Sequence, residues 1–234
     1  MKIALIGYGQ MGKMIENLAP NHSVEVVEKY WDEHLLEVNP ETQEKLADVD
    51  VLIDFSTPYA VLENIGKAVA LKKSLVVGTT GWFDKLDQIR IEIEKNGLGF
   101  VYASNFSLGV NLFYQIVRQA SKQMAVFESY CPFIEESHHQ FKKDAPSGTA
   151  LVIKNIMQPH YEKEIPVTSV RAGYIPGTHA VSFDSRVDTI ELKHTARNRE
   201  GFAEGALIAA KWIKGKKGLY DFPDVVSDLL KEWQ

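Results

Sequence analysis

The chain has 234 residues, 45% hydrophobic and 24% charged, which is enough apolar material for one to two packed globular domains. A net charge of −5 offers no long-range attraction to nucleic acid or to an anionic membrane. One cysteine, Cys131, rules out an internal disulfide, and no stretch approaches the ~20 apolar residues of a membrane span.

Cys131 sits beside Pro132 in an apolar run and reads as a packing residue. The N-terminal sequence has no signal-peptide pattern, since only four apolar residues separate Lys2 from Gly7. The expected location is cytoplasmic. The basic residues Lys214, Lys216 and Lys217 form a short cluster that reads as solvated surface.

Residues 2–6 are a short apolar run ending at Gly7, as expected of a strand buried on both faces. A helix is predicted from Met11 to Leu18, stopped by Pro20-Asn21, and a second strand from Val24 to Val27. A third strand is predicted over Val49 to Phe55, then a helix over Tyr59 to Leu71 with Pro58 near its start. Leu75 to Val77 and Gly99 to Ala103 read as further strands, with a helix from Leu86 to Glu94 between them. This alternation predicts an α/β fold with a doubly wound parallel sheet.

The pattern then changes. A long helix is predicted over Ser107 to Val126, followed by strand-like segments at Phe127–Ser137, Val167–Tyr174, Thr178–Phe183 and Asp188–His194. Strands without intervening helices predict a mixed α+β second domain over residues 107–199. The apolar face of a helix from Phe202 to Ile213 needs a surface to cover, so residues 200–234 are expected to rejoin residues 1–106.

Gly7-Tyr8-Gly9-Gln10-Met11-Gly12 matches G-x-G-x-x-G between a predicted strand and a predicted helix. Gly7 suits the tight turn, Gly9 the close approach of a pyrophosphate, and Gly12 close helix–strand packing, with the helix N-terminus as anion site. Glu28 follows Gly7 by 21 residues, at the expected end of the second strand, where a carboxylate can bond a ribose diol. A turn kept glycine-rich for packing alone leaves that acid unexplained. The loops Asp54-Phe55-Ser56-Thr57-Pro58 and Gly78-Thr79-Thr80-Gly81 also follow predicted strands and are expected to face the cofactor, although each alone is ordinary turn chemistry. Glu28 disfavours a 2′-phosphate and Lys29 favours one. Both NADH and NADPH are therefore expected to serve, within about tenfold of each other, or ~1.4 kcal/mol.

The stretch from Glu136 to Ala150 places His138, His139 and Lys142 ahead of a helix start at Ser147-Gly148-Thr149. Imidazoles, an ammonium and a helix N-terminus together suit a carboxylate-bearing substrate and proton exchange near neutral pH. A solvated polar loop is the bland alternative. No metal is expected, because adjacent histidines show no clear third or fourth ligand nearby. His179 and His194, at other strand ends, read as structural.

Together with Val77-Gly78-Thr79-Thr80-Gly81, Ser104 to Asn111, Arg171-Ala172-Gly173 and Pro176-Gly177-Thr178-His179, these motifs resemble the 4-hydroxy-tetrahydrodipicolinate (dihydrodipicolinate) reductase family nearly end to end. The resemblance implies a Rossmann-like nucleotide domain with a substrate and oligomerisation domain. It also implies a homotetramer and NAD(P)H-dependent reduction of a cyclic dicarboxylic imine in lysine and diaminopimelate biosynthesis. His138 corresponds to the family's proton donor and Lys142 to its second catalytic group. His139, Ser147, Gly148 and Thr149 fall at substrate contacts. The glycine loop (Gly7, Tyr8, Gly9, Gln10, Met11, Gly12), Gly78, Thr79, Thr80 and Ala103-Ser104-Asn105-Phe106 fall on the cofactor side. Departures from the family pattern are a glycine loop one residue short, Gln10 where an arginine is common, and a pruned segment between Glu28 and Val51. Two rivals remain: another Rossmann-type amino-acid or semialdehyde dehydrogenase, and a non-catalytic dinucleotide sensor.

Overall fold

The computed structural model describes residues 1–231, and the chain divides into two compact units. One comprises residues 1–108 and the chain from residue 200 onward; the other is Gly109–Arg199. In chain order the elements are β1 (Lys2–Ile6), α1 (Gln10–Leu18), β2 (Glu25–Tyr30), α2 (Pro40–Lys45), β3 (Val51–Asp54), α3 (Val61–Ala70), β4 (Ser74–Val77), α4 (Leu86–Asn96) and β5 (Gly99–Tyr102). Then come α5 (Leu108–Met124), β6 (Cys131–His138), α6 (Gly148–Met157), β7 (Val167–Arg171), β8 (Thr178–Asp184) and β9 (Thr189–Thr195). The chain closes with α7 (Glu200–Ile213), β10 (Gly218–Asp221) and α8 (Phe222–Lys231).

The first unit is a parallel six-stranded sheet ordered β10-β5-β4-β3-β1-β2. Its central strands are buried on both faces, so their sequences are continuous apolar runs such as Val51-Leu52-Ile53. The strand order reverses at β1, which puts a ligand crevice at the carboxyl ends of β1 and its neighbours. Helix α7 packs on α1 and across β3, β4 and β5. Ala203, Ala206, Ala209 and Ala210 are fully buried and let it lie close to the strands. At Gly205 an added Cβ would fall 1.8 Å from the Phe106 carbonyl oxygen, so no larger residue fits that contact.

The second unit is a four-stranded mixed sheet, β7-β6-β8-β9, with β6–β7 parallel and the other pairs antiparallel. Phe113 and Val117 of α5 and Ile153 and Met157 of α6 pack with Ile134, Val181 and Phe183 of the strands in one apolar core.

Several expectations shift. Strand β2 runs on to Tyr30 because its pairing with β1 persists to Ile6, three residues beyond the Val24–Val27 run. Strand β6 begins at Cys131, not Phe127, since residues 125–130 turn out of α5. Side chains alternate along β6, which buries Ile134, Glu136 and His138 and leaves Cys131 exposed. The reading of Cys131 as a packing residue is therefore corrected. Helix α2, strand β10 and helix α8 have no counterpart among the predicted elements. Asn39 caps α2 by accepting a hydrogen bond from the Thr42 N–H at 2.8 Å, with Pro40 at the first position.

Candidate active site

In the first unit, a cavity of about 570 Å³ opens beside the glycine turn. Gly7, Tyr8, Gly9, Lys13, Trp31, Asp32 and Ser56 line it, with others. Gly7 has φ of +85°, and a Cβ there would sit 2.4 Å from the Phe55 carbonyl oxygen. Gly12 abuts the Gly7 carbonyl, where a Cβ would come within 2.5 Å. Gly9 differs: nothing lies within 4 Å of a Cβ there, so the space stays open to a ligand. No side chain caps the N-terminus of α1. An open glycine at an uncapped helix start fits a pyrophosphate.

Asp54 links the two loops that follow β3 and β4. Its buried carboxylate accepts hydrogen bonds from Ser56 N–H (2.8 Å), Ser56 Oγ (2.7 Å), Asn64 Nδ2 (2.9 Å) and Thr79 Oγ1 (3.0 Å). Burial pushes its pKa up against these bonds. Gly78 is held by Phe55, whose ring would lie 2.1 Å from any Cβ added there, so its smallness serves packing. Thr80 and Ser104 are exposed, whereas Ala103 and Phe106 are buried. Asn105 Oδ1 accepts the Ser107 N–H at 2.9 Å and closes the turn before α5.

Glu28 and Lys29, expected at the adenosine ribose, both lie within β2. Glu28 pairs with Ala4 inside the strand and does not line the cavity. Because β2 continues to Tyr30, the acid just beyond the strand is Asp32. Lys29 is not poised over the cavity either. Its ammonium bonds Glu16 Oε1 at 2.9 Å and lies 4.9 Å from the Tyr8 ring centre. Tyr8 donates to the other Glu16 oxygen. Lys13, which the glycine motif does not mark, is the lysine lining the cavity.

In the second unit, register builds the site. Glu136 on β6 faces Ser169 on β7 and His179 on β8, and His138 faces Arg171. The Glu136 carboxylate accepts hydrogen bonds from Arg171 Nη1 (2.9 Å), Arg171 Nη2 (2.7 Å) and the Ser147 N–H (3.2 Å), and it contacts His138 Nδ1. Burial alone would raise its pKa, but Arg171, then Ser169 and His138, outweigh it and hold the carboxyl at about 2. Burial lowers His138, with Glu136 pulling the other way and Lys142 and Arg171 adding to the depression. His179 stacks edge-on against His138, with ring centres 5.1 Å apart, and burial takes it down to about 4.

Ser147 caps α6 by accepting the Ala150 N–H at 3.2 Å, and it bonds His179 Nε2 at 3.1 Å. Gly148 and Thr149 follow, with Gly148 exposed and Thr149 bonded to Tyr114. Lys142 pairs with Asp144 at 2.8 Å. His139 packs beside Phe141, with ring centres 6.1 Å apart. The sequence candidates His138, His139, Lys142, Ser147, Gly148 and Thr149 thus share one neighbourhood. Glu136, Arg171 and His179 join them, unassigned or read as structural from sequence. His194 packs on Phe113 instead, with ring centres 6.0 Å apart.

Ligand atoms of Glu136, His138 and His179 lie within 4.8 Å of one another, a grouping that the adjacent His138-His139 pair did not signal. A cation there would compete with Arg171, whose guanidinium engages both Glu136 oxygens. Among the described residues no helix is long and apolar enough to cross a membrane.

Comparisons with known proteins agree with this geometry. Residues 1–106 match the family described as dihydrodipicolinate reductase, N-terminus, and residues 109–226 its C-terminus. The chain is 40% identical to a 4-hydroxy-tetrahydrodipicolinate reductase of Christiangramia forsetii over 99% of its length and 100% of that protein's. It is 39% identical to the enzyme of the same name in Methanoregula boonei, over 76% of this chain and 74% of that one. A dipicolinate-bound dihydrodipicolinate reductase from a Paenisporosarcina species superposes with a TM-score of 0.80 at 25% identity, covering 96% of this chain and 98% of that one. The chain belongs to the dihydrodipicolinate reductase family of nicotinamide-dependent oxidoreductases.

Proposed function

We propose that the chain reduces the cyclic, dicarboxylic imine derived from 4-hydroxy-tetrahydrodipicolinate to tetrahydrodipicolinate, in the diaminopimelate route to lysine. The observation that carries this reading is the grouping of His138 and the α6 N-terminus around the buried Glu136 carboxylate, with the Lys142 ammonium close enough to act on His138. The first unit holds the dinucleotide: Gly9 and the α1 N-terminus take the pyrophosphate, and Asp32 takes the adenosine ribose. The nicotinamide, when bound, supplies the hydride.

The second unit supplies binding and the proton. The Gly148 and Thr149 N–H groups, Lys142 and His139 hold the substrate's carboxylates and stabilise the negative charge that hydride addition brings to the ring. His138 delivers a proton to the carbon next to the reduced one. Its lowered pKa leaves the empty site's imidazole neutral, and the negative charge of an arriving dicarboxylate favours the imidazolium again.

NADH and NADPH both serve, with a preference for NADH within about tenfold. Asp32 repels a 2′-phosphate and Lys13, on the same cavity, offsets that repulsion. A cytoplasmic homotetramer completes the reading, with sedimentation analysis as its check. The reaction is tested by mixing purified protein, freshly prepared substrate and reduced cofactor. Substrate-dependent loss of cofactor absorbance is expected, and none with active substrate would overturn the assignment.

A further inference from the structure

We propose that Glu136, clamped by Arg171, is a positioning residue that fixes His138 with its proton on Nδ1, leaves Nε2 as the proton-transferring nitrogen, and ties that imidazole to the N-terminus of α6. The inference rests on the proposed reaction and names how its proton donor is held.

The Glu136 side chain is fully buried. One oxygen takes Arg171 Nη2 and the Ser147 N–H; the other takes Arg171 Nη1 and faces His138 Nδ1. With two partners on each oxygen, the carboxylate has no lone pair left for substrate or metal. Stability alone does not account for the arrangement, because an apolar pair of similar volume generally replaces a buried ion pair without loss. An apolar pair cannot orient an imidazole or hold the N-cap of α6. Glu136 does both, so one carboxylate sets the spacing between the proton donor and the anion-binding helix start.

A carboxylate facing Nδ1 requires a hydrogen on that nitrogen. Nε2 is then the site that gains and loses the proton. Gly177 stands beside it: a Cβ there would lie 3.1 Å from Nε2, so glycine leaves this nitrogen uncovered. In the transfer, the Nε2–H bond breaks and its electron pair stays on the ring nitrogen. A C–H bond forms on the substrate, and the imidazole is left neutral with its hydrogen on Nδ1. Glu136 stays ionised throughout.

The charged and titratable groups facing His138 are Glu136 on its own strand, Lys142 in the following loop with its partner Asp144, Arg171 ending β7, and His179 on β8 backed by His194. Glu136 is the acid in contact with the imidazole, so its neutralisation acts on His138 directly.

Three measurements test the proposal. First, imidazole nitrogen NMR of histidine-labelled wild-type protein is expected to show neutral His138 carrying its proton on Nδ1; a proton on Nε2 overturns the proposal, whatever the variants do. Second, in Glu136→Gln, kcat is expected to fall about 10- to 100-fold, as when other histidine-orienting groups are removed. KM should change far less, and the descending basic limb of the kcat profile should move to lower pH. Third, Glu136→Asp should recover part of kcat and return the limb toward its wild-type position. A folded Glu136→Gln protein with wild-type kcat and pH profile overturns the proposal. If that variant fails to fold, the wild-type NMR result decides. If wild-type protein shows the expected imidazole state but does not reduce the imine, the reaction assignment fails and the positioning stands.

Discussion

Asp32→Ala should reverse the preference for NADH, and Glu28→Ala should leave it intact. The Tyr30 carbonyl accepts the Gly7 N–H at 2.9 Å, so the residues just past Tyr30 lie beside the glycine turn. Asp32 is one of them and lines the cavity. Glu28 lies two residues back along the strand, ~7 Å from its end at about 3.3 Å per residue. A ribose diol bonded to an exposed carboxylate contributes roughly 1 kcal/mol, and repulsion of a 2′-phosphate adds about 1 kcal/mol in a screened setting. Their joint loss in Asp32→Ala shifts the ratio of kcat/KM for NADH over NADPH by about 30-fold, at 1.4 kcal/mol per factor of ten. The test measures both cofactors with wild type, Asp32→Ala and Glu28→Ala at low and high salt, where the phosphate contribution should shrink. A ratio that moves in Glu28→Ala and not in Asp32→Ala would refute the strand-end argument.

Lys29→Ala should weaken NADH and NADPH alike in cofactor titrations, because Lys29 is held by Glu16 and Tyr8; selective loss of NADPH would show that it reaches the phosphate. His138→Ala should lower kcat by the 10²–10⁴-fold of a lost general acid, and Lys142→Ala should lower kcat/KM comparably. Cofactor dissociation constants should stay unchanged in both, and near-normal turnover would remove the residue from the mechanism. Stability should fall on acidification in two stages. His179, ordinarily near 6.5, is lowered to about 4, so the unfolded chain binds the extra proton between those values and unfolding is favoured there. Glu136, lowered from 4.5 to about 2, acts in the same direction below pH ~4.5. Urea melts against pH should show Glu136→Gln flattening only the lower stage.

The parallel sheet was legible because its strands are apolar runs punctuated by glycine and separated by helical spacing. The site loop was legible because histidine, lysine and a helix start fall within a few residues of one another. What stayed hidden depends on pairing. Where β2 ends is set by β1, not by its own residues, and its run to Tyr30 puts Asp32, rather than Glu28, just beyond the strand. Glu136, Arg171 and His179 are up to 43 residues apart in sequence and meet only through the β7-β6-β8 register. Alternation along β6 carried a usable signal: Ile134, Glu136 and His138 share a parity, so a glutamate on the core face needed a partner. Strand β10 reads Gly-Leu-Tyr-Asp, not the continuous apolar run that marked the other short strands of the sheet.

Asp144 offers a last test of how the substrate's carboxylates are held. Its exposed carboxylate pairs with Lys142 Nζ at 2.8 Å and accepts the Gly148 N–H. Those donors are the ones assigned above to the substrate, so Asp144 occupies them before the substrate arrives. The Lys142 hydrogen bond lowers its pKa, and the competition therefore persists through the neutral range. Exposed pairs of this kind contribute roughly 0.2–1 kcal/mol. Removing the charge in Asp144→Asn should thus tighten dipicolinate binding by up to about fivefold, since 1.4 kcal/mol is tenfold. Calorimetric titration with dipicolinate measures this directly, and KM should fall in parallel with kcat nearly constant. The effect should diminish at high salt, where the Lys142–Asp144 pair is already screened. Weaker dipicolinate binding in Asp144→Asn would refute the competition. It would mean that Asp144 aims Lys142 at the substrate, and that the ion pair survives substrate binding.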